Sequence, residues 1–399
     1  MTADRIFLAR HLPSFCLAVF IAAATVGAFT GGIWASLGIG GALVMFAATW
    51  RVDDRPPMPD RNFLSLALSL LTVTAALNLR SSQPEASWTM WGQLVTIFLP
   101  LSLLTGIDLQ KRAASAQLMP VLPIAAALGV LALGLELVLQ GPILKLIRGP
   151  GAGLYQYDRG FSYLVVLAFP VMALIWNSKR RWSVVFLIAL LFLPASYTAS
   201  RAAKLALVLA LLTSGAAFML PVLTRRALMA LPFAAALWPF AAQKLFLAHH
   251  DWVGRLPPSW QNRVEIWDYL SYRILERPFF GWGLNASRSL PFTEPHGALY
   301  HYVLGAEPHP HNAAIQLWVE LGLPGLAFGI VFALLTLSRA GRLGSVLGPF
   351  ALGAWVAAYC LAMISYNLWS DSLWAMFALT GFAFALQQKP AIFAAQNYG

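Results

Sequence analysis

The sequence predicts an all-α protein that crosses a membrane many times. Of its 399 residues, 59% are hydrophobic and only 11% are charged, whereas a soluble domain carries about 25% charged residues. Apolar stretches of roughly 17 to 25 residues, long enough to cross a bilayer, recur along nearly the whole chain. These two observations predict a single integral membrane domain, residues 1–399, with about twelve transmembrane helices.

The predicted spans follow one another from the amino terminus. Their cores lie at 13–30, 33–50, 63–79, 88–106, 118–140, 161–176, 182–198, 202–220, 226–246, 312–337, 345–366 and 371–388. The basic start of the first span imitates a signal peptide, but no small-residue cleavage site follows, so we expect it to stay uncleaved. Cys16 and Cys360 both fall inside spans, so we expect neither a disulfide framework nor a thiolate metal site.

Basic residues predict the orientation, because Lys and Arg concentrate in short cytoplasmic loops. With both termini in the cytoplasm, 15 of the 27 basic residues fall in compact inner clusters such as "NSKRRW". The other 12 fall on the outer side, where the topology rule does not require them. Since Arg forms bidentate hydrogen bonds with phosphate oxygens, this excess predicts an anionic ligand on the outer side.

One outer loop, residues 247–311 between the ninth and tenth spans, is much longer than the others. Within it, "PPSWQNRVEIWDYLSYRILERP" predicts an amphipathic helix that Ser259 caps and that ends before Pro278. Its apolar stripe fits either the membrane surface or the outer ends of the spans, and we expect its charged residues at the surface. The stripe consists of Val264, Trp267, Leu270 and Ile274.

Two histidines precede the tenth span in the stretch "AEPHPHNAAIQLWVELGLPG" (306–325). Pro308 and Pro310 favour extended neighbours, so we expect His309 and His311 to project from a stiff strand. His309 is either a polar side chain at the membrane interface or a supporting residue of the site. Asn312 is a candidate cap for the helix that follows, whose amino-terminal end favours a nearby anion.

The tenth span carries one polar face. Asn312, Gln316 and Glu320 recur at every fourth residue among apolar neighbours. An ionisable residue within a span faces the bundle interior or a wet cavity. We therefore expect Glu320 to orient other groups, with direct chemistry as the alternative.

A second polar site is predicted at "YTASRAAKLA", where Ser200 caps a span whose first turn holds Arg201 and Lys204. Cations there oppose the helix dipole, at about 0.3 to 1 kcal/mol each, and a bound phosphate would reverse that effect. For each of four further arginines, the sequence allows either a solvated loop charge or a contact with the anionic ligand. These are Arg148, Arg159, Arg263 and Arg288.

The sequence lacks the signatures of several catalytic classes. The outer loops show no acidic pair of the type that binds hard cations, and the chain contains no Walker, Rossmann or GxSxG pattern. We expect no metal, no cofactor, no nucleotide-driven reaction and no nucleic-acid partner.

Three segments together resemble the bacterial O-antigen ligases. "HNAAIQLWVELGLPG" resembles their H[NSQ]x9GxxG signature, "YTASRAAKLALVL" an SRG-like segment, and "RVEIWDYLSYRILERPFFGWGLN" an R…W…P…GxG segment. The resemblance covers roughly residues 150–330. Ala202 replaces the glycine that is common after the Ser-Arg pair, which affects local packing only.

The resemblance implies a GT-C-like, metal-independent glycosyltransferase in the bacterial inner membrane, active on the periplasmic face. It would move an O-antigen glycan from undecaprenyl pyrophosphate to a sugar hydroxyl of the lipid A–core oligosaccharide, with inversion. His311 would be the general base and Arg201 the principal cation, supported by His309, Asn312 and Glu320. The remaining candidate contacts to the pyrophosphate or lipid phosphate are Arg148, Arg159, Lys204, Arg263 and Arg288.

Three alternatives stay open. An O-antigen polymerase or a protein O-oligosaccharyltransferase belongs to the same superfamily, although the short carboxy-terminal tail favours the ligase. A lipid-linked glycan transporter would require basic residues deep within the spans, whereas the unexplained ones here lie outside them.

Overall fold

The computed structural model describes residues 3–107, 114–248, 250–290 and 309–388. All regular structure within these ranges is helical. The helices are α1 (Ala3–Ala24), α2 (Val26–Phe29), α3 (Ile33–Ala35), α4 (Gly41–Asp53), α5 (Arg61–Asn78), α6 (Pro84–Leu103), α7 (Ala114–Val138), α8 (Pro142–Arg148), α9 (Asp158–Asn177), α10 (Arg181–Tyr197), α11 (Arg201–Met219), α12 (Pro221–Met229), α13 (Leu231–Ala248), α14 (His250–Val253), α15 (Pro258–Glu276), α16 (Ala313–Ala340), α17 (Gly344–Ile364) and α18 (Asp371–Ala385).

The all-α, multi-pass architecture is confirmed. Eight helical segments of the described chain are long and apolar enough to cross a membrane, and two shorter apolar helices, α10 and α18, accompany them. Each of the twelve predicted segments overlaps a helix. The number of twelve spans itself remains a prediction.

Helix α9 forms the centre of the bundle. Its sequence is apolar on every side, as expected of a helix that other helices surround, and its residues from Gly160 to Ile175 are all buried. It packs against α7, α10, α11, α17 and α18. This packing fixes the position of Asp158 and Arg159, which begin the helix.

Helix α15 docks on the bundle. Its predicted apolar stripe is buried, and the helix packs against α13 and α16. The expectation that its charged residues lie at the surface is wrong for three of them, because Glu265, Asp268 and Arg273 are also buried. The apolar stripe occupies only one face of the helix. Because α15 packs against two other helices, further faces that carry charged residues are covered as well.

The predicted cap of α15 is also wrong. The helix begins at Pro258, with Pro257 before it, and Ser259 lies inside the first turn without a side-chain cap bond. Proline suits the first helical position because its φ is already helical and its missing N–H would have no partner there. The predicted end before Pro278 is confirmed, since the helix ends at Glu276.

Helix α16 is interrupted at Gly322, where φ is 67° and ψ is −156°. The interruption frees backbone groups that the segment after α15 then binds. Trp282 N donates to Val319 O and Gly283 N donates to Glu320 O, both at 2.9 Å, while Leu323 N donates to Pro278 O at 3.1 Å. The predicted turn at Gly281 and Gly283 is confirmed, because both residues have positive φ.

We expect Gly322→Ala to destabilise the protein. Any L-residue at this backbone conformation is strained by about 1 to 3 kcal/mol, and a Cβ would lie 2.3 Å from the Phe279 carbonyl oxygen. Thermal unfolding of the purified protein in detergent measures the loss. Gly215→Ala in α11 is the control, because a Cβ there meets no atom within 4 Å. Equal unfolding temperatures for the two variants would contradict this account of the break.

Candidate functional site

The histidine segment is held in a specific backbone conformation. Trp267 of α15 donates its Nε1–H to Pro310 O at 2.8 Å, and the backbone N of His311 donates to His309 Nδ1 at 2.9 Å. The predicted stiff strand is wrong at His311, whose φ is 49°. Proline restricts the residue before it, so Pro310 constrains His309 and leaves His311 free to adopt this left-handed conformation.

The cap of α16 is confirmed, because Asn312 Oδ1 accepts from Ile315 N at 3.0 Å. The predicted polar face of this helix is buried, as expected. Gln316 Nε2 donates to Asn367 Oδ1 at 2.7 Å. The Glu320 carboxylate accepts from Ser287 Oγ at 2.7 Å and from Trp369 Nε1 at 2.6 Å. Glu320 therefore ties α16 to both neighbouring loops.

The hydrogen bond of His311 fixes its tautomer. Its Nδ1 lies 2.8 Å from the carbonyl oxygen of Ser365. A carbonyl oxygen can only accept, so Nδ1 carries the proton and Nε2 keeps its lone pair. A neutral imidazole held in this way can accept a proton at Nε2.

Two positive charges and burial keep both imidazoles neutral. Burial is the main cause that lowers the pKa of His311 below its ordinary value, and the charges of Arg263 and Arg288 act in the same direction. Burial also lowers the pKa of His309 to about 3, which agrees with its Nδ1 acting as an acceptor. The two rings stack with centroids 4.3 Å apart.

Residues 364–367, at the end of α17 and the start of the connection to α18, contact several residues of the candidate site. The sequence analysis did not identify this segment. Ile364 O accepts from Arg263 Nε at 3.0 Å, and Ser365 O holds His311. The Tyr366 ring lies 5.9 Å below the Arg159 guanidinium. The polar residues "SYN" between two apolar spans were the available signal, and we refer to this segment as the 364–367 turn.

Arg159 and Arg201 lie on the same end of the bundle as His311. Arg159 reaches Tyr366, and its aliphatic carbons pack across Gly31, where a Cβ would lie 2.2 Å from the Arg159 Cγ. Its neighbour Asp158 accepts a hydrogen bond from Thr198 Oγ1. Thr198 lies three residues before Arg201, the first residue of α11. The 364–367 turn, which binds His311, is therefore connected to the start of α11 through Arg159 and its neighbour Asp158.

The predicted cap of α11 is confirmed, because Ser200 Oγ accepts from Ala203 N at 3.2 Å. Arg201 is the first residue of this helix and its side chain is exposed. Within the described residues its guanidinium has no ion-pair partner. Lys204, half-buried one turn later, lies close enough to Asp158 to stabilise that carboxylate. The two cations therefore differ in exposure, and Lys204 lies near a carboxylate.

The remaining arginines do not share one environment. Arg263 donates to two backbone carbonyl oxygens, those of Ile364 and Ser259, which leaves fewer donors for a ligand than the sequence suggested. Arg288 is half-buried and close enough to His309 and His311 to influence both. Arg148 ends α8 with an exposed side chain near Tyr157, and no contact described here joins it to His311.

The described residues contain no cluster of metal-binding side chains. Across 3–107, 114–248, 250–290 and 309–388, no group of three or more His, Cys, Asp or Glu side chains is arranged to hold an ion. Cys16 and Cys360 are both free and buried. The positively charged groups near His311 are the guanidinium groups of Arg159, Arg263 and Arg288.

The pKa of His311 predicts the acid side of the pH profile. If neutral His311 is the active form, activity falls only when the pH drops through its lowered pKa, below the ordinary histidine value of about 6.5. Replacing Arg288 by Gln removes a positive charge, which raises the pKa of His311 and moves the acid limb to higher pH. Transfer rates across pH measure the shift. Arg255→Gln is the control, and an identical shift in both variants would contradict the assignment.

Comparison with known proteins identifies a family match. A family model described as O-antigen ligase matches residues 195–330, a narrower region than the 150–330 of the sequence resemblance. The match includes Arg201, α15 and the histidine segment. The resemblance to O-antigen ligases is thus confirmed over this part of the chain.

Individual relatives come from Rickettsia and are provisionally named polysaccharide ligases. The chain is 25% identical to one from Rickettsia bellii over 268 residues, covering 62% of this chain and 63% of the relative. A relative from Rickettsia conorii is 26% identical over 247 residues, covering 56% and 57%. One from Rickettsia felis is 24% identical over 249 residues, covering 56% and 58%. The similarity spans less than two thirds of the length of these relatives.

Proposed function

We propose that this chain, in which residues 195–330 match the O-antigen ligase family, transfers a glycan from undecaprenyl pyrophosphate to a sugar hydroxyl of lipid A–core oligosaccharide. The reaction takes place on the periplasmic face of the inner membrane, with both termini in the cytoplasm. The observation that carries the proposal is the Ser365–His311 hydrogen bond, which leaves Nε2 of a neutral imidazole available on the same end of the bundle as Arg159 and Arg201.

The proposed step is a direct displacement. The acceptor hydroxyl loses its proton to His311 Nε2 while its oxygen forms a bond to the anomeric carbon of the donor sugar. The bond from that carbon to the pyrophosphate oxygen breaks, and undecaprenyl pyrophosphate leaves with the electron pair. Attack from the opposite side of the leaving group inverts the anomeric configuration.

The arginines stabilise the charge that develops on the leaving group. Fixed charges placed where negative charge appears often provide the largest part of catalysis. Arg201 suits this role because its exposed guanidinium has no ion-pair partner among the described residues. Arg159 supplies a second guanidinium from α9. Arg263 and Arg288 contribute positive potential near the imidazole.

The proposed supporting residues act through the backbone. Asn312 caps α16 immediately after His311. His309 accepts from the His311 N–H and thereby holds its left-handed conformation. Glu320 fixes the two loops that approach α16. None of the three needs to touch substrate in order to position the base.

Reconstitution of the purified protein tests the function. Proteoliposomes receive a lipid-linked glycan and rough lipopolysaccharide, with a chelator present and nucleotide absent, and glycan attached to lipopolysaccharide is measured. The proposal predicts attachment. If a second undecaprenyl-linked repeat accepts the glycan and rough lipopolysaccharide does not, the protein is a polymerase instead.

A further inference from the structure

A buried threonine connects the starts of α9 and α11. Thr198 lies between the end of α10 and the start of α11, and only 4% of its surface is exposed. Its hydroxyl donates a hydrogen bond to the carboxylate of Asp158, the first residue of α9. The same oxygen accepts from the backbone N of Ser200 at 3.2 Å. The Thr198 hydroxyl therefore acts both as a donor and as an acceptor.

Ser200 continues this connection into α11. Its Oγ accepts from Ala203 N at 3.2 Å and so caps the helix, and Arg201 follows the cap as the first helical residue. At the other end of the connection, Asp158 is the residue before Arg159 in α9. One carboxylate and one hydroxyl thus link the backbone segments that carry the two arginines.

The connection fixes the backbone from which Arg201 projects. The Asp158 carboxylate also interacts with the backbone N–H groups of Ala199 and Ser200, so it holds three consecutive residues, 198–200. The side chain of Arg201 is exposed, and the position of its guanidinium therefore depends on where its helix begins. A displacement of about 1 Å in a positioned group can cost about 100-fold in an enzymatic reaction.

Lys204 offsets the charge of this carboxylate. An uncompensated carboxylate beside the start of α11 would repel an anionic ligand. Lys204 is half-buried one turn after Ser200 and lies close enough to Asp158 to stabilise its negative charge. This contact favours a counter-charge role for Lys204 over direct contact with a phosphate.

We propose that Asp158 and Thr198 are positioning residues for the pyrophosphate of the donor and that they act through Arg201. Thr198 sets the start of α11, Asp158 holds Thr198 to α9, and Lys204 prevents the carboxylate from repelling the anion. Neither Asp158 nor Thr198 needs to touch the donor. The inference rests on the proposed binding of pyrophosphate by Arg201, and it adds the residues that place this guanidinium.

The variant Thr198→Val tests the connection, because it replaces the hydroxyl by a methyl group of similar size. The two ligands are undecaprenyl pyrophosphate and undecaprenol, which share the chain but differ in the head. Their apparent Kd values for the full-length protein in detergent are read from the rise in unfolding temperature on titration. We expect Thr198→Val to weaken binding of undecaprenyl pyrophosphate about tenfold, within the range that coupled neighbours show. Binding of undecaprenol should not change.

Three further variants separate positioning from a general loss of structure. Thr198→Ser keeps the hydroxyl and should restore most of the affinity for undecaprenyl pyrophosphate. Thr198→Val combined with Arg201→Ala should bind this lipid no more weakly than Arg201→Ala alone, because the effect passes through Arg201. Ser196→Ala is the matched control and should behave as wild type, since the Ser196 hydroxyl donates only to Phe192 O within α10. Thr198→Ala replaces Thr198→Val if that variant does not fold.

Three outcomes would overturn the inference. These are wild-type affinity of Thr198→Val for undecaprenyl pyrophosphate, an equal loss for undecaprenol, and a further tenfold loss when Arg201 is already Ala. Each of them leaves the proposed function standing. A wild-type protein that shows the expected dependence on Thr198 but transfers no glycan to rough lipopolysaccharide would contradict the proposed function and leave the positioning roles intact.

Discussion

The His311→Ala variant should transfer glycan about 100- to 10,000-fold more slowly than wild type, the contribution typical of a positioned general base. The structure supplies the reason, because the Ser365 carbonyl oxygen orients the ring and leaves Nε2 as the proton acceptor. Single-turnover transfer in proteoliposomes measures the loss. Donor affinity should change little, because the cations proposed to bind pyrophosphate remain.

His11→Ala is the matched control for this variant. His11 lies on α1 and contacts Phe7, so its replacement removes an imidazole without affecting the site. Both variants should keep the unfolding temperature within a few degrees of wild type. A transfer rate for His311→Ala equal to that of wild type would remove the proposed base.

The second large effect is expected for Arg201→Ala, with a loss of about 100- to 1,000-fold in transfer, as for removal of one group that stabilises developing negative charge. Donor affinity should weaken as well, because in the proposed mechanism the same guanidinium contacts the pyrophosphate before and during the reaction. Arg201→Lys should recover part of the loss, since an ammonium keeps the charge without the bidentate geometry. Donor titrations and single-turnover rates separate the two effects.

Arg226→Ala provides the comparison for Arg201. Arg226 is exposed near the end of α12, so the variant loses one exposed guanidinium at a position outside the site. If Arg226→Ala slowed transfer as much as Arg201→Ala, the effect would reflect overall charge rather than a specific contact.

The sequence predicted the helices well because membrane spans are defined by local composition. Each predicted span overlaps a helix, and the caps at Ser200 and Asn312 follow from residue preferences that act within one turn. Buried charges were harder to predict. Arg273 is buried although it lies off the apolar stripe of α15, because burial depends on two neighbouring helices that are distant in sequence.

The candidate site was predicted only in part, again because contacts between residues that are distant in sequence cannot be read from local motifs. His311 and Arg201 were identified from local motifs, but the segment that brings their surroundings together lies more than 50 residues further along. The 364–367 turn contributes mainly backbone carbonyls, which every residue possesses, so its sequence carries little signal. Likewise, the role of Gly322 depends on the approach of Phe279, a contact that spacing alone does not reveal.

The account depends on His311 and Arg201 facing the same aqueous compartment. Single cysteines placed at 201, 311 and 342 can be labelled in intact spheroplasts with a membrane-impermeant maleimide. Cys16 and Cys360 are buried, so background labelling should be low. We predict labelling of Arg201→Cys and His311→Cys before lysis, and of Arg342→Cys only after lysis. Labelling of either Arg201→Cys or His311→Cys only after lysis would contradict the account.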